Sequence, residues 1–363
     1  MRTLNKFLIL LSAAAVLTVG SLTAAHSFGN PALVQAALDE QVNQSFKDIN
    51  AIKIQNFTGR LDIVVGGKDT KMQLTGGEVP FPLEMTHQDG ALALKGPERP
   101  RNYNVYDEIE WRRYHEDAFV RFLAPYPSLT LTIPRGVSIE LDDVITIARA
   151  GDTGGALKVH DGLVEAVFGN VNSADLNITR SGDIVLGNVE QALVATIKGS
   201  GDVVAKSAAS AALKIAGSGD IVLGDIGGDA DMSIQGSGDI DVGDIGGSVN
   251  AVIRGSGDIE TGRVLKGGDF VIRGSGDITA QSANGPVTAR ISGNGDIDIE
   301  DGRAENLQVS IHGSGDFRFG GVSTNLNANV NGSGSIDIAE NEGTLNTSGR
   351  GEFRIGDTTI DHD

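Results

Sequence analysis

The stretch "RGSGDIETGRVLKGGDFVIRGSGDITA", Arg254 to Ala280, contains the five letters GSGDI twice, with aspartates at Asp258 and Asp277. Outward from it, the same turn recurs with its acidic residue at Asp183, Asp202, Asp220, Asp239, Asp296 and Asp316. Ser335 and Glu352 hold that position in "GSGSI" and "GRGEF", and a weaker copy, "GLVEAVFGNV", precedes the series with Glu165 in the aspartate's place. The step is about 19 residues throughout, a period that marks a repeat architecture.

Each copy carries the same apolar pattern. Seven and five residues before the aspartate stand pairs such as Leu213 and Ile215, or Phe270 and Ile272. An apolar residue follows the aspartate directly, usually with others at plus three and plus six, as at Leu223 and Ile226. Alternation by two between glycine corners is the signal of short strands, and the segments are too broken for helices. A unit this small cannot bury its own apolar face, so it stacks on its copies, with turns ~4.8 Å apart and strands paired in parallel. The expected fold is all-β: a single-stranded parallel β-helix (β-solenoid), right-handed by the crossover rule. It covers residues 137–356, with Ile240 and Ile259 as vertical neighbours. Corner glycines are expected where φ is positive or where successive turns approach closely.

The flanks lack this period. Residues 46–136 alternate like strands, as in "INAIKIQNFTGRLDIVVGG", and suit an irregular β cap over the solenoid's open edge. An insert at 99–127 holds the single Trp and all four Tyr, and Ile109, Arg113, His115, Phe119 and Phe122 fall near helical spacing, predicting a short helix. Residues 357–363 read as a polar tail. At the start, Arg2 and Lys6 precede an apolar run from Phe7 to Val19 and the small residues Thr23, Ala24 and Ala25. That is the layout of a secretory signal peptide, so residues 1–25 are set apart from the fold. The run is shorter than the ~20 residues a spanning helix needs, and no later segment approaches that length.

Composition narrows the partners. With 29 basic and 48 acidic residues the net charge is −19, which disfavours nucleic acid and anionic lipid and favours cations or basic partners. The absence of cysteine leaves no disulfide framework. Fifty glycines with nine prolines exclude collagen, and an aromatic fraction of 5% points to many small apolar layers.

The leader, the opening "FKDINAIKIQNFTGRLDIVV", the strand pair "LTLTIPRGVSIEL" and the serial GSGDI turns together resemble the bacterial exported family labelled putative auto-transporter adhesin, head GIN domain. The resemblance covers nearly all of the chain after the leader. It implies a β-helix and a role in surface adhesion, and it supplies no catalytic or binding residue. The aromatic insert departs from the family pattern, and the last 30 residues show no strands of a membrane barrel.

Three groups of residues invite chemistry. Stacking sets Asp183, Asp202, Asp220, Asp239, Asp258, Asp277, Asp296 and Asp316 in one column. Charges ~4.8 Å apart repel by about 1 kcal/mol in water and by roughly 3 to 4 at an effective dielectric of 20. Backbone N–H groups at the corner, a basic column at Lys198, Arg254, Arg273 and His312, or a bound cation could offset this. Ala216, Gln235 and Ser292 interrupt the basic column. Calcium is the candidate cation, with Asp220, Asp239, Asp241 and Asp258 the oxygens to hold it. No other cofactor is expected. The second group is the aromatic and basic insert, where Tyr103, Tyr106, Trp111, Arg112, Arg113 and Tyr114 suit a protein or glycan partner, or else a buried cap.

The third reading is an enzyme, a polysaccharide lyase or glycosidase using carboxylates on adjacent turns near the ~5 to 5.5 Å of retaining hydrolases. The repeat produces that spacing everywhere and singles out no turn. The expectation is therefore an exported, non-catalytic binding or adhesion protein of the periplasm or cell surface. Its partner would be an envelope or surface protein or glycan, and the chain would keep no transmembrane segment once the leader is removed.

Overall fold

The computed structural model describes residues 5–11, 41–79, 81–100 and 117–360. The chain divides into two compact units, Met1–Asn172 and Ser173–Asp363. Nearly everything described is β-strand, with one short helix.

In the first unit the strands are β1 (Asn5–Leu11), β2 (Gln41–Phe46), β3 (Ala51–Gln55), β4 (Thr58–Val65) and β5 (Thr70–Thr75). They continue as β6 (Phe81–Gln88), β7 (Ala91–Lys95), β8 (Ser128–Ile133), β9 (Ser138–Ala150) and β10 (Ala156–Phe168), with α1 (Asp117–Leu123) before β8. The long strand β9 bends and pairs along its first half with β3 and along its second half with β4. From β3 the sheet continues through β7 to β6, and from β4 it continues through β8 and β5 to β2.

The bend is made by residues in left-handed conformation: Asn56 (φ 52), Asp143 (φ 47) and Asp161 (φ 57). The flanking registers align these three, Gln55 with Asp142 and His160 with Asp142. Asparagine and aspartate tolerate this conformation better than other side chains do, so the corner needs no glycine. β1, read above as part of a leader, is paired antiparallel with β6, from Asn5 opposite His87 to Leu11 opposite Phe81.

The second unit is a β-solenoid with turns of about 19 residues. Its inner columns run in register: Ile184, Val203, Ile221, Ile240, Ile259, Ile278, Ile297, Phe317, Ile336 and Phe353, one per turn and all buried. A neighbouring buried column alternates in size, with Phe270 between Ala251 and Ala289. A large ring is thus accommodated by small residues above and below, keeping the core filled without overpacking.

The 18-residue step between Asp202 and Asp220 is absorbed by a bulge. Val189 still pairs with Ala208, whereas Ala192 pairs with Ser210. Not every turn splits into the two short strands expected. Ile184–Ile197, Val203–Ile215 and Phe317–Val330 run through their second corner as single bent strands, while turns with a paired glycine there, such as Gly227-Gly228, break.

Of the two reasons expected for the corner glycines, close approach holds and positive φ needs correction. Among the glycines of the GSGD corners and their variants, from Gly182 to Gly351, two have positive φ, Gly182 (φ 125) in the first corner and Gly349 (φ 107) in the last, so left-handed backbone does not explain the series between them. The cause is close approach: a Cβ on Gly257 would lie 2.0 Å from the carbonyl oxygen of Gly238, and one on Gly255 1.9 Å from that of Gly236. Within the polar tail, Thr358–Ile360 folds back antiparallel on Glu352–Ile355.

Candidate functional site

The corner aspartates are built into a continuous ladder. Within it the Oδ1 of each carboxylate accepts the backbone N–H of the acidic residue one turn later. Asp202 donates to Asp183 at 3.0 Å, Asp239 to Asp220 at 2.8 Å, Asp258 to Asp239 at 2.8 Å and Asp277 to Asp258 at 2.7 Å. Asp220 donates to Asp202, Asp296 to Asp277 and Asp316 to Asp296 in the same way. The series ends where Ser335, with no carboxylate to pass on, gives both its N–H (2.6 Å) and its hydroxyl (2.8 Å) to Asp316.

This geometry follows from the corner. The chain there points N–H groups along the stacking direction, where no strand partner takes them, and an N–H bond to an ionised acceptor is stronger than one between neutral groups. Each bond also draws negative charge toward a peptide dipole, which counters the repulsion down the column. The basic column plays no such part: among the described residues Lys198, Arg254 and Arg273 make no ion pair, and His312 Nδ1 lies 3.3 Å from Ser310 Oγ.

The same device recurs at corners where the sequence showed only scattered acids. Asp225 Oδ1 accepts the N–H of Asp244 at 3.0 Å, and Asp244 Oδ1 that of Arg263 at 2.9 Å, while the Arg263 guanidinium turns back onto Asp244 Oδ2. Asp229 Oδ1 takes the N–H (2.8 Å) and hydroxyl (3.0 Å) of Ser248. In the first unit Asp152 accepts from Asn170 at 2.8 Å. Hydrogen bonds from the Arg263 side chain and then its backbone hold the Asp244 carboxyl below the usual carboxylate range. The Ser248 backbone, followed by its hydroxyl, does the same for Asp229.

Of the four calcium candidates, Asp220, Asp239 and Asp258 each have one oxygen committed to the ladder, and Asp241 is exposed on its strand between Val222 and Glu260 of the adjacent turns. Among the described residues no three metal-binding side chains converge.

Tyr103, Tyr106, Trp111, Arg112, Arg113 and Tyr114 lie outside the described residues. What flanks them is described. Arg99 is inserted at the β9 bend, donating to the carbonyls of Asp143 (2.5 Å) and Phe57 (3.1 Å) and pairing with Asp143 Oδ1 at 3.0 Å. On the other side, α1 buries Phe119 and Leu123 against Ile145 and Leu163, and Tyr126 packs edge-on to Phe81. The insert is therefore anchored at both ends by packing and a nearly buried guanidinium. Of the helix expected over Ile109 to Phe122, the part from Asp117 to Leu123 is present, while Ile109, Arg113 and His115 lie outside the described residues, and no described helix is long and apolar enough to cross a membrane.

With this geometry in place, comparison with known proteins assigns the chain to a family. The family described as "Putative auto-transporter adhesin, head GIN domain" matches residues 53–263 and 268–359, and the chain belongs to it. No curated protein matches. Similar solved structures include a "putative adhesin" from Bacteroides fragilis NCTC 9343, with 15% identity over 82% of this chain and 97% of that one, at a TM-score of 0.26. A "putative lipid binding protein" from Parabacteroides distasonis ATCC 8503 shares 15% identity over 83% and 96%, at a TM-score of 0.28. A "putative cell adhesion protein" from Clostridium sporogenes ATCC 15579 shares 10% identity over 61% and 99%, at a TM-score of 0.20.

Proposed function

We propose that the chain is an exported, non-catalytic protein of the bacterial envelope or surface that holds an extended partner by adhesion. The observation that carries this reading is the outward column Asp231, Asn250, Asp269, Thr288, Gln308, Asn327 and Asn346, one residue per turn in register. Its last three members are exposed amides that make no side-chain hydrogen bond among the described residues. Amides spaced by one strand width present repeated donors and acceptors to a linear partner, and many weak contacts sum to useful avidity. The adhesin description of the family supports the same reading. The corner carboxylates stand in one environment from turn to turn, whereas acid–base catalysis needs two in contrasting environments, and this favours a binding role over a hydrolase or lyase.

The test is to fractionate cells expressing the chain with and without residues 1–25 and to measure capture of purified protein by envelope material. The chain with its leader is expected in the envelope or medium, and replacing Gln308, Asn327 and Asn346 together by Ala should lower capture about tenfold. Retention in the cytoplasm, or undiminished capture by the triple variant, would refute the reading.

A further inference from the structure

The outer face of β2, β5 and β8 forms a trough of about 330 Å³ in the first unit. Strand register sets its polar side chains in two rows across the three strands: Asn43, Gln73 and Thr130 in one, Ser45, Lys71 and Thr132 in the other. Alternate positions point inward, where Met72, Leu74, Leu129 and Leu131 are buried, so the rows are held by core packing beneath them. Gln73, Thr130 and Thr132 are half-buried and Asn43, Ser45 and Lys71 exposed, and among the described residues none of the six side chains makes a hydrogen bond or ion pair. Partly desolvated polar groups without partners gain from a ligand that supplies them.

We infer that this trough is a binding site for a short acidic saccharide. Side-chain amides offer a donor and an acceptor close together, which matches neighbouring sugar hydroxyls, and the two threonines and the serine add single contacts. Lys71 is the cation among the side chains lining the trough, and at this short range it would pair with a sugar carboxylate despite the net negative charge of the chain. The volume suits about one or two sugar rings. This inference deepens the adhesion reading by naming a ligand and a place, and it rests on residues far in sequence from the amide column.

The experiment uses the full chain, with digalacturonate and its uncharged dimethyl ester as probes, followed by saturation-transfer NMR and calorimetry. Digalacturonate should bind with a Kd of about 1 mM, and the ester should bind about fivefold more weakly. The Lys71→Gln variant should abolish the difference between the two probes. The double variant Gln73→Leu with Thr130→Val should weaken both about tenfold. Asn43→Ala, on the edge strand, gives the same readout if the double variant fails to fold. The inference is overturned if neither probe saturates below about 20 mM, or if the variants bind as the parent does. Loss of the saccharide with capture by envelope material intact would remove the trough and leave the adhesion reading standing.

Discussion

The two units turn their corners with aspartate or asparagine for different reasons, apart from Asp152 of the first unit, which serves the N–H of Asn170 as the solenoid's aspartates serve theirs. In the first, Asn56, Asp143 and Asp161 are chosen for backbone conformation, since each sits at positive φ. In the second, the corner aspartates lie outside the positive-φ set and are chosen for a side-chain oxygen that reaches the next turn's N–H. One corner is solved within a residue and the other between turns. A corner solved between turns rewards repetition, because every added turn supplies the donor its neighbour's acceptor needs. A corner solved locally leaves the surrounding strands free to vary, and the first unit mixes parallel and antiparallel pairings accordingly.

The sharpest way to break this comparison is through the stacked core. Phe270→Ala should cost about 4 kcal/mol in denaturant unfolding, because Ala251 and Ala289 on either side cannot fill the space. A loss below about 1 kcal/mol would mean that the column is not a packed one. Next is Gly257→Ala, where the new methyl meets the Gly238 carbonyl and should cost about 3 kcal/mol. Gly151 in the first unit has open space around a Cβ, so Gly151→Ala should stay within about 0.5 kcal/mol. Equal effects of the two would deny that turn stacking is what demands glycine.

The ladder itself is probed by pairing substitutions across the units. Asp258→Gly removes the acceptor for Asp277 N–H and should cost about 1 kcal/mol, whereas Asp161→Gly supplies a residue suited to its φ of 57 and should be near neutral. Asp258→Asn keeps an acceptor oxygen and relieves repulsion along the column, so its melting temperature should match the parent's. A drop as large as that of Asp258→Gly would show that the charge, and not the oxygen, is what matters.

The smallest expected effect is on pH dependence. Asp229 and Asp244 have carboxyls held below their ordinary value in the folded state. The unfolded chain therefore takes up protons first as pH falls. Their contribution is present above about pH 4 and is lost as pH drops through the folded-state values. Thermal melts between pH 5 and pH 2 should show this loss, and Ser248→Ala should make it slightly shallower by removing the hydroxyl bond to Asp229 while the larger cause, the Ser248 N–H, stays. An unchanged slope would assign the acid sensitivity elsewhere.

Much of this was legible from residues alone. The period, the inward position of Ile240 and Ile259, and the single column of aspartates follow from a motif that repeats in identical surroundings, so each copy reports on all the others. The first unit was legible only as alternating strands. Its pairing depends on which edges β3 and β4 offer to β9, and no local pattern encodes that choice. The trough was not visible at all, because Asn43, Gln73 and Thr130 are distant in sequence and unremarkable one by one.

What the amino-acid order determined unaided is the repeat and its interior, since periodic burial of Ile, Val and Phe needs no knowledge of distant neighbours. Tertiary structure decided what the corners do: that glycine is required by a carbonyl of the preceding turn, and that an aspartate oxygen serves the turn that follows. Both depend on atoms about 19 residues away along the chain and within bonding distance through space, a proximity that exists only once the turns have stacked.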